Sequence, residues 1–298
     1  MHLGSDNSKA FLDAFTDGGK ESIAKDIVNA TTDDQLYDVF ANLLTALAIP
    51  MKTRSRAGPV SSSPYARGLQ SVEVESSFRE QCMKRDGHCC IVTGELDTDT
   101  WVARGHPEDV DFGPMEVAHI IPLAYTSWHM SATKQPPSQN ASAWEFLWRY
   151  FPRVRQAGMK VETINSLTNG LTMRSPVHLA FLDFAIAFRP TEIPNVYERV
   201  LFRRYPSAER RALPASDWIE FKQALGAEDL ELPSAALLDC HYRLAEIFNA
   251  SGMAQTIDKH WHRWQNLKGD ILRPDGGTDI GAYLSLALWE RVPCRLRE

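Results

Sequence analysis

The sequence lacks several features that mark specialised classes of protein. No apolar run reaches the roughly 18 residues that a membrane-spanning helix requires. The first residues contain no basic patch followed by an apolar stretch, so no secretory signal peptide is expected. The five cysteines form an odd set without a CxxC pair, a pattern that favours reduced thiols over a disulfide framework. We therefore expect an intracellular protein of the cytoplasm or the nucleus, without a membrane partner.

The sequence also lacks an excess of basic residues. Its formal net charge is −6, whereas nucleic-acid-binding domains often carry a basic face. The charge is uneven along the 298 residues: the net value is −3 for residues 1–75, +1 for residues 76–211 and −4 for residues 212–298. The middle of the chain is therefore the least acidic part and the one best suited to a nucleic-acid partner.

Hydrophobic periodicity and turn residues divide the chain into four segments. Residues 1–52 predict helices, and the Ser-, Pro- and Gly-rich stretch within residues 53–73 is typical of a linker. Residues 74–211 mix short strands with short helices, and residues 212–298 predict helices again. The expected fold class is therefore α+β, with a mixed core flanked by helical regions at both ends.

Two local predictions within this scheme concern single elements. Cys89–Gly94 is rich in apolar residues and ends at glycine, which predicts a short strand that stops at Gly94. Residues 215–225 predict the first helix of the C-terminal helical region.

Three short motifs in the middle of the chain carry the candidate chemistry. Glu116–Pro122 places a histidine in a short apolar strand, Asn165–Leu171 contains an Asn-Gly pair, and His178–Asp183 begins a short helix. Taken singly each motif is weak, because a lone histidine usually has an ordinary structural role and Asn-Gly is a common turn dipeptide. The order strand, loop, strand and helix, with these side chains, is much more specific than any one motif.

The ordered set resembles the fungal-type HNH endonuclease domain, with His119, Asn169 and His178 as the residues that name the motif. The resemblance covers roughly residues 78–205 and includes the lead-in Arg85–Gly94. It implies a ββα-metal (HNH) core with extra short strands, in which two strands form a hairpin and a helix packs across it. His119 and His178 would then face one another around a divalent metal ion, either Mg²⁺, Mn²⁺ or Zn²⁺.

The resemblance also implies a role for each named residue. A histidine titrates near about pH 6.5, so His119 suits a general base that activates water for phosphodiester cleavage. A neutral imidazole at His178 suits a metal ligand. The side-chain amide of Asn169 is expected to orient its loop and His119. Three further residues are candidate phosphate or substrate contacts: Arg174, Trp128 and His129.

Two positions depart from the pattern of similar sites. Many carry an acid or histidine directly before the first motif histidine, where this chain has Ala118. Because side chains alternate along a strand, Glu116 shares the face of Ala118 and is a candidate replacement ligand. An Asp is also common four residues after His178, where this chain has Leu182; Asp183 follows, turned by about 100° around the helix. The candidate metal ligands are therefore His178, Glu116 and Asp183, and they form an irregular set.

Three functions remain open at this stage. The first is a metal-dependent endonuclease that hydrolyses nucleic-acid phosphodiesters with His119 as general base. The second is an HNH scaffold repurposed as a biosynthetic enzyme for a small-molecule substrate, with an aromatic pocket wall from Trp144 and Trp148. The third is a non-catalytic binding or regulatory protein whose helical regions form a homodimer. An open basic cleft favours the first, and a closed apolar pocket favours the second.

Overall fold

The computed structural model describes residues 18–52, 72–123, 125 and 143–251. Trp128 and His129, most of the expected linker and the part of the C-terminal helical region beyond residue 251 lie outside the described residues. Within the described ranges, no helix is both long and apolar enough to span a membrane. The architecture is α+β, with several helices and three small sheets among the described residues.

The N-terminal part of the described chain is helical. It comprises α1 (Gly19–Asn29), α2 (Asp33–Asn42), a π-helical stretch (Leu43–Ala48) and α3 (Ile49–Lys52), and α4 (Val72–Arg85) precedes the first strand. The hydroxyl of Thr32 accepts a hydrogen bond from the backbone N–H of Gln35 at 3.2 Å. This bond satisfies one of the free donors at the start of α2, as an N-cap does.

A strand pair and the helix that follows it form the centre of the molecule. Strand β3 (Met115–His119) pairs antiparallel with β4 (Gly170–Arg174), and His119 lies opposite Gly170. Helix α8 (Ser175–Leu182) begins directly after β4 and contacts both strands. Proline at its first turn suits a helix start, because no intrahelical partner for that N–H is lost.

The remaining elements surround this centre. They are β1 (Leu96–Asp97), α5 (Thr98–Ala103), β2 (Phe112–Gly113), α6 (Ala143–Tyr150), α7 (Pro152–Gln156), β5 (Ile186–Pro190), β6 (Val196–Leu201), β7 (Trp218–Glu220) and α9 (Ala235–Ser251). Strands β1 and β2 pair in parallel, and β5, β6 and β7 form an antiparallel sheet in that order. Helix α9 packs against β5 and thereby joins this sheet to the rest of the core.

Two of the local predictions are wrong. Cys89–Gly94 forms a turn, closed by a hydrogen bond of 2.8 Å from the Gly94 N–H to the Cys90 carbonyl. The positive φ of Gly94, 76°, bends the chain where a strand would continue. The segment expected to be helical at 215–225 contains β7 instead, because pairing with β6 buries Ile219 and leaves its neighbours Trp218 and Glu220 exposed. Tertiary pairing prevails over helical periodicity in so short a segment.

Arg85 and Asp86 join α4 to the segment that carries the second motif. Arg85 is completely buried and donates to the carbonyls of Leu167 at 2.8 Å and Gly170 at 2.9 Å. Asp86 forms two bonds to the Arg85 guanidinium and accepts from the Thr172 N–H at 3.1 Å. A buried guanidinium is tolerated only when it is paired and hydrogen-bonded, and these bonds meet that requirement.

Gly170 allows α4 to approach the strand pair closely. A Cβ atom at this position would lie 2.4 Å from Sγ of Cys82 and 2.8 Å from Cζ of Phe78. Its φ of −113° is an ordinary strand value, so the need for glycine here is steric. The Asn-Gly pair of the second motif is therefore a strand start under a packed helix, whereas the dipeptide alone suggests a turn.

The two tryptophans of α6 belong to the packed interior. Trp144 is fully buried, and its indole N–H donates to the Tyr125 carbonyl at 3.2 Å. Trp148 donates to the Met159 carbonyl at 3.0 Å, and the Arg155 guanidinium lies over its ring. The polar end of each indole is thus bonded to backbone, as expected for buried tryptophan.

Candidate active site

Asn169 ties the end of β3 to the loop that leads into β4. Its buried side chain accepts from the Ile121 N–H at 2.8 Å and donates to the carbonyls of Ile121 at 3.0 Å and Ile164 at 2.8 Å. The Asn169 carbonyl also accepts from the Ile120 N–H at 2.9 Å. The Asn169 side-chain bonds found in the structure all go to backbone groups next to the site, and none goes to the His119 ring.

The imidazole of His119 is held by two other residues. Nε2 lies 2.8 Å from Oδ1 of Asn165, and the Phe78 ring of α4 stacks on the imidazole with centroids 4.3 Å apart and an angle of 19°. An amide oxygen only accepts hydrogen bonds, so in the neutral ring Nε2 carries the proton and Nδ1 keeps its lone pair. The arrangement therefore leaves Nδ1 as the basic atom of the site.

Asn165 and Phe78 are functional candidates that the sequence did not single out. Asn165 lies inside the second motif, but a polar residue in a loop has no pattern that reveals its partner. Phe78 belongs to the charged helix before the motif, where a lone aromatic residue suggests core packing. Both reach His119 only through the packing of α4 and the Asn169 loop around β3.

The surroundings of His119 favour its neutral form. Burial lowers the pKa of His119 to about 4, while the hydrogen bond with Asn165 acts in the opposite direction and the charge of His178 lowers the pKa further. At neutral pH the imidazole is therefore uncharged and able to accept a proton. The influence of His178, on α8, also shows that the two motif histidines lie within electrostatic reach of each other.

The candidate metal ligands do not come together. Glu116 is exposed and lies 3.7 Å from Nη1 of Arg79, and Asp183, just after α8, lies 3.6 Å from Nζ of Lys52. Among the described residues, no three His, Cys, Asp or Glu side chains are grouped so that they could hold a metal ion. The alternation along β3 and the rotation around α8 account for this separation. The described residues thus do not fit a preformed metal site.

Arg174 lies away from His119. It is opposite Met115 in the strand pair, four positions from the His119–Gly170 pair, which corresponds to about 13 Å at about 3.3 Å per residue. Its guanidinium bonds Glu95 at 3.0 Å and Glu209 at 3.1 Å. Two carboxylates therefore surround the cation that the sequence suggested as a phosphate contact.

The comparisons with known proteins agree with this geometry. A family model described as HNH endonuclease matches residues 89–189, a range that contains all three motif residues and Asn165 but not Phe78. No curated protein and no solved structure matches the sequence. Residues 89–189 of this chain therefore form an HNH-type domain.

Proposed function

We propose that the protein is an HNH-type endonuclease that hydrolyses phosphodiester bonds in nucleic acid, with His119 as the general base. The family match at residues 89–189 supports this reaction class. The observation that carries the proposal is the 2.8 Å bond between His119 and Asn165, because it leaves Nδ1 of a neutral imidazole to accept a proton from water. We further propose that β3, β4 and α8 correspond to the ββα unit of the fungal-type members of the family.

The low pKa of His119 is compatible with this role. A general base must be unprotonated before the reaction, and an imidazole with a pKa of about 4 meets this condition at neutral pH. An anionic phosphodiester next to the ring would stabilise the imidazolium and raise its pKa towards neutrality. Bound substrate would therefore make His119 a stronger base at the point where it is needed.

Asn165 acts in this proposal as a positioning residue. Its Oδ1 accepts the N–H of the neutral ring, and the same bond becomes stronger when His119 gains a proton, because the donor is then charged. Phe78 limits rotation of the ring by stacking on it. Together they hold Nδ1 in one direction during proton transfer, which general base catalysis requires.

A divalent metal ion has no part in these steps, since the described residues supply no ligand set for it. No observation favours the other two functions. Trp144 and Trp148, which suggested a small-molecule pocket, use their indole N–H groups on backbone carbonyls within the packed interior. The homodimer remains a prediction from the sequence.

The test is cleavage of labelled single-stranded and double-stranded DNA and RNA by the full chain, with and without Mg²⁺, Mn²⁺ or Zn²⁺. His119→Ala is expected to lower kcat by about 10²- to 10⁴-fold, the usual contribution of a general base. His106→Asn is the matched control, because His106 is exposed, lies outside the site and has a positive φ of 60° that asparagine accepts. Equal cleavage by the wild type and His119→Ala, or no cleavage of any substrate, would contradict the proposal.

A further inference from the structure

A groove lies directly beside His119. It has a volume of about 280 Å³, and α4 forms one wall while the loop before β4 forms the other. Two of its lining residues, Phe78 and Asn165, are the ones that hold the His119 ring. The other lining residues are Glu73, Val74, Ser77, Gln81 and Leu167. A group bound in this groove would therefore be separated from the candidate base by a single side chain.

The lining of the groove is unsuited to a phosphate group. None of its seven residues is Lys or Arg, and the carboxylate of Glu73 would repel an anion. Val74, Phe78 and Leu167 supply apolar surface, and Ser77 and Gln81 add hydrogen-bonding groups that lie 3.1 Å apart. This combination of apolar walls and a polar rim suits a flat, uncharged ring with polar edges.

The dimensions of the groove point to the same type of occupant. Drug-sized ligands occupy pockets of about 300 Å³ or more, so this groove suits one ring system rather than a duplex. A base within a duplex is covered by stacking and pairing and must leave the stack before it can enter a pocket. An unpaired base has both faces and its pairing edge available at no such cost.

We propose that this groove, called the base groove below, binds one unpaired nucleobase of the substrate next to the phosphodiester at His119. This inference rests on the proposed endonuclease function and specifies its substrate class as single-stranded or locally unpaired nucleic acid. Glu73 selects among the bases, because its carboxylate accepts hydrogen bonds from the exocyclic amino group of cytosine, adenine or guanine. Thymine and uracil carry no such group and bind more weakly.

The experiment measures binding of fluorescein-labelled decamers by fluorescence anisotropy, using the full chain with His119→Ala to prevent cleavage. Three probes are compared: single-stranded dC₁₀, a decamer of abasic residues with the same phosphates, and a duplex of equal length. Ser77→Trp fills the base groove, and Ser76→Trp introduces the same side chain at the next position of α4, which is exposed and outside the groove.

Ser77→Trp is expected to weaken binding of dC₁₀ by at least about tenfold relative to Ser76→Trp, as loss of one base contact does. Binding of the abasic decamer and the duplex should change less than about twofold, which lies within the scatter of a contact-free surface substitution. Equal weakening for dC₁₀ and the abasic decamer would assign the groove to the phosphate backbone and overturn the proposal. Unchanged binding of dC₁₀ would overturn it as well.

A second comparison tests the role of Glu73. The preference for dC₁₀ over dT₁₀ is expected to narrow several-fold in Glu73→Gln and to persist in Glu80→Gln, which removes a carboxylate from α4 outside the groove. An unchanged preference in Glu73→Gln would remove Glu73 from the proposal. Failure of the two proposals can be told apart: a Ser77→Trp effect without cleavage by the wild type refutes only the endonuclease function, and cleavage without a Ser77→Trp effect refutes only the base groove.

Discussion

Nε2 of His119 donates a 2.8 Å hydrogen bond to Oδ1 of Asn165, and this bond sets the direction of the unprotonated Nδ1. Asn169, the asparagine that names the motif, has a different task. It ties the backbone around Ile121 to the loop that presents Asn165. The two asparagines thus act in series, one on the loop and one on the imidazole.

The first prediction concerns the pH dependence of catalysis in Asn165 variants. The bond with Asn165 favours the charged imidazole, so Asn165→Ala is expected to lower the pKa of His119 below its value of about 4. Asn165→Asp places a carboxylate at the same position and should raise the pKa by about 1–3 units, as a close opposite charge does. The acid limb of kcat/KM reports the free enzyme and should shift in the same directions.

The pH profile separates positioning from a merely structural effect. Asn29→Asp makes the same chemical change at an exposed residue of α1 and should leave the acid limb unchanged. An Asn165→Asp profile that coincides with that of the wild type would show that Asn165 does not act on His119.

The second prediction concerns acid stability. His241 of α9 is buried between Phe181 and Phe184, and burial lowers its pKa to about 3 despite the bond to the Phe181 carbonyl. The folded state therefore binds the proton less readily than the unfolded chain, whose histidine titrates near about pH 6.5. Stability from the neutral ring is fully present above about pH 6.5 and is lost as the pH falls towards 3.

His241→Phe removes this titration while keeping a flat ring between the two phenylalanines. The free energy of unfolding, measured by urea denaturation at several pH values, should therefore fall less steeply below pH 6.5 in the variant. A single group contributes up to about 1.4 kcal/mol per pH unit. The exposed His106→Asn serves as control and should keep the slope of the wild type. Identical slopes for His241→Phe and the wild type would refute the assignment.

The third prediction concerns the contact of α4 with Gly170. A methyl group at this position would lie within 2.8 Å of both Cys82 and Phe78, so Gly170→Ala must displace α4. Overpacking of this kind costs about 1–3 kcal/mol. The displacement also moves Phe78 away from His119 and should lower kcat. Thermal unfolding and kcat are the two measurements.

A double variant tests the steric cause. Cys82→Ala removes the atom nearest to the added methyl group and should restore part of the stability lost in Gly170→Ala. Additive losses in Gly170→Ala with Cys82→Ala would show that the two positions do not press on each other.

The fourth prediction concerns the acids that the sequence offered as metal ligands. Glu116 faces Arg79 and Asp183 faces Lys52, so Glu116→Gln and Asp183→Asn should leave Mn²⁺ affinity within about twofold of the wild type. Titration calorimetry of the full chain without nucleic acid measures this affinity. His178→Ala is the comparison variant, because His178 is the candidate ligand that lies at the site. A tenfold loss of affinity in either acid variant would place that carboxylate on the metal.

The sequence by itself determined the reaction class and the class of fold. The order of the motifs around His119, Asn169 and His178 is local information, since β4 runs directly into α8 and the loop with Asn169 precedes it. Short-range periodicity also predicted a helix at about 74–85, and the structure has α4 at Val72–Arg85. Patterns of this kind survive folding because they concern neighbouring residues.

Only the tertiary structure decided which side chains surround the base. Asn165 lies 46 positions from His119 and reaches it because Asn169 and Arg85 hold the intervening loop in place. Phe78 reaches the same ring because Gly170 lets α4 approach the strand pair. Contacts between distant segments depend on packing and on the shape of each element, which no residue spacing encodes.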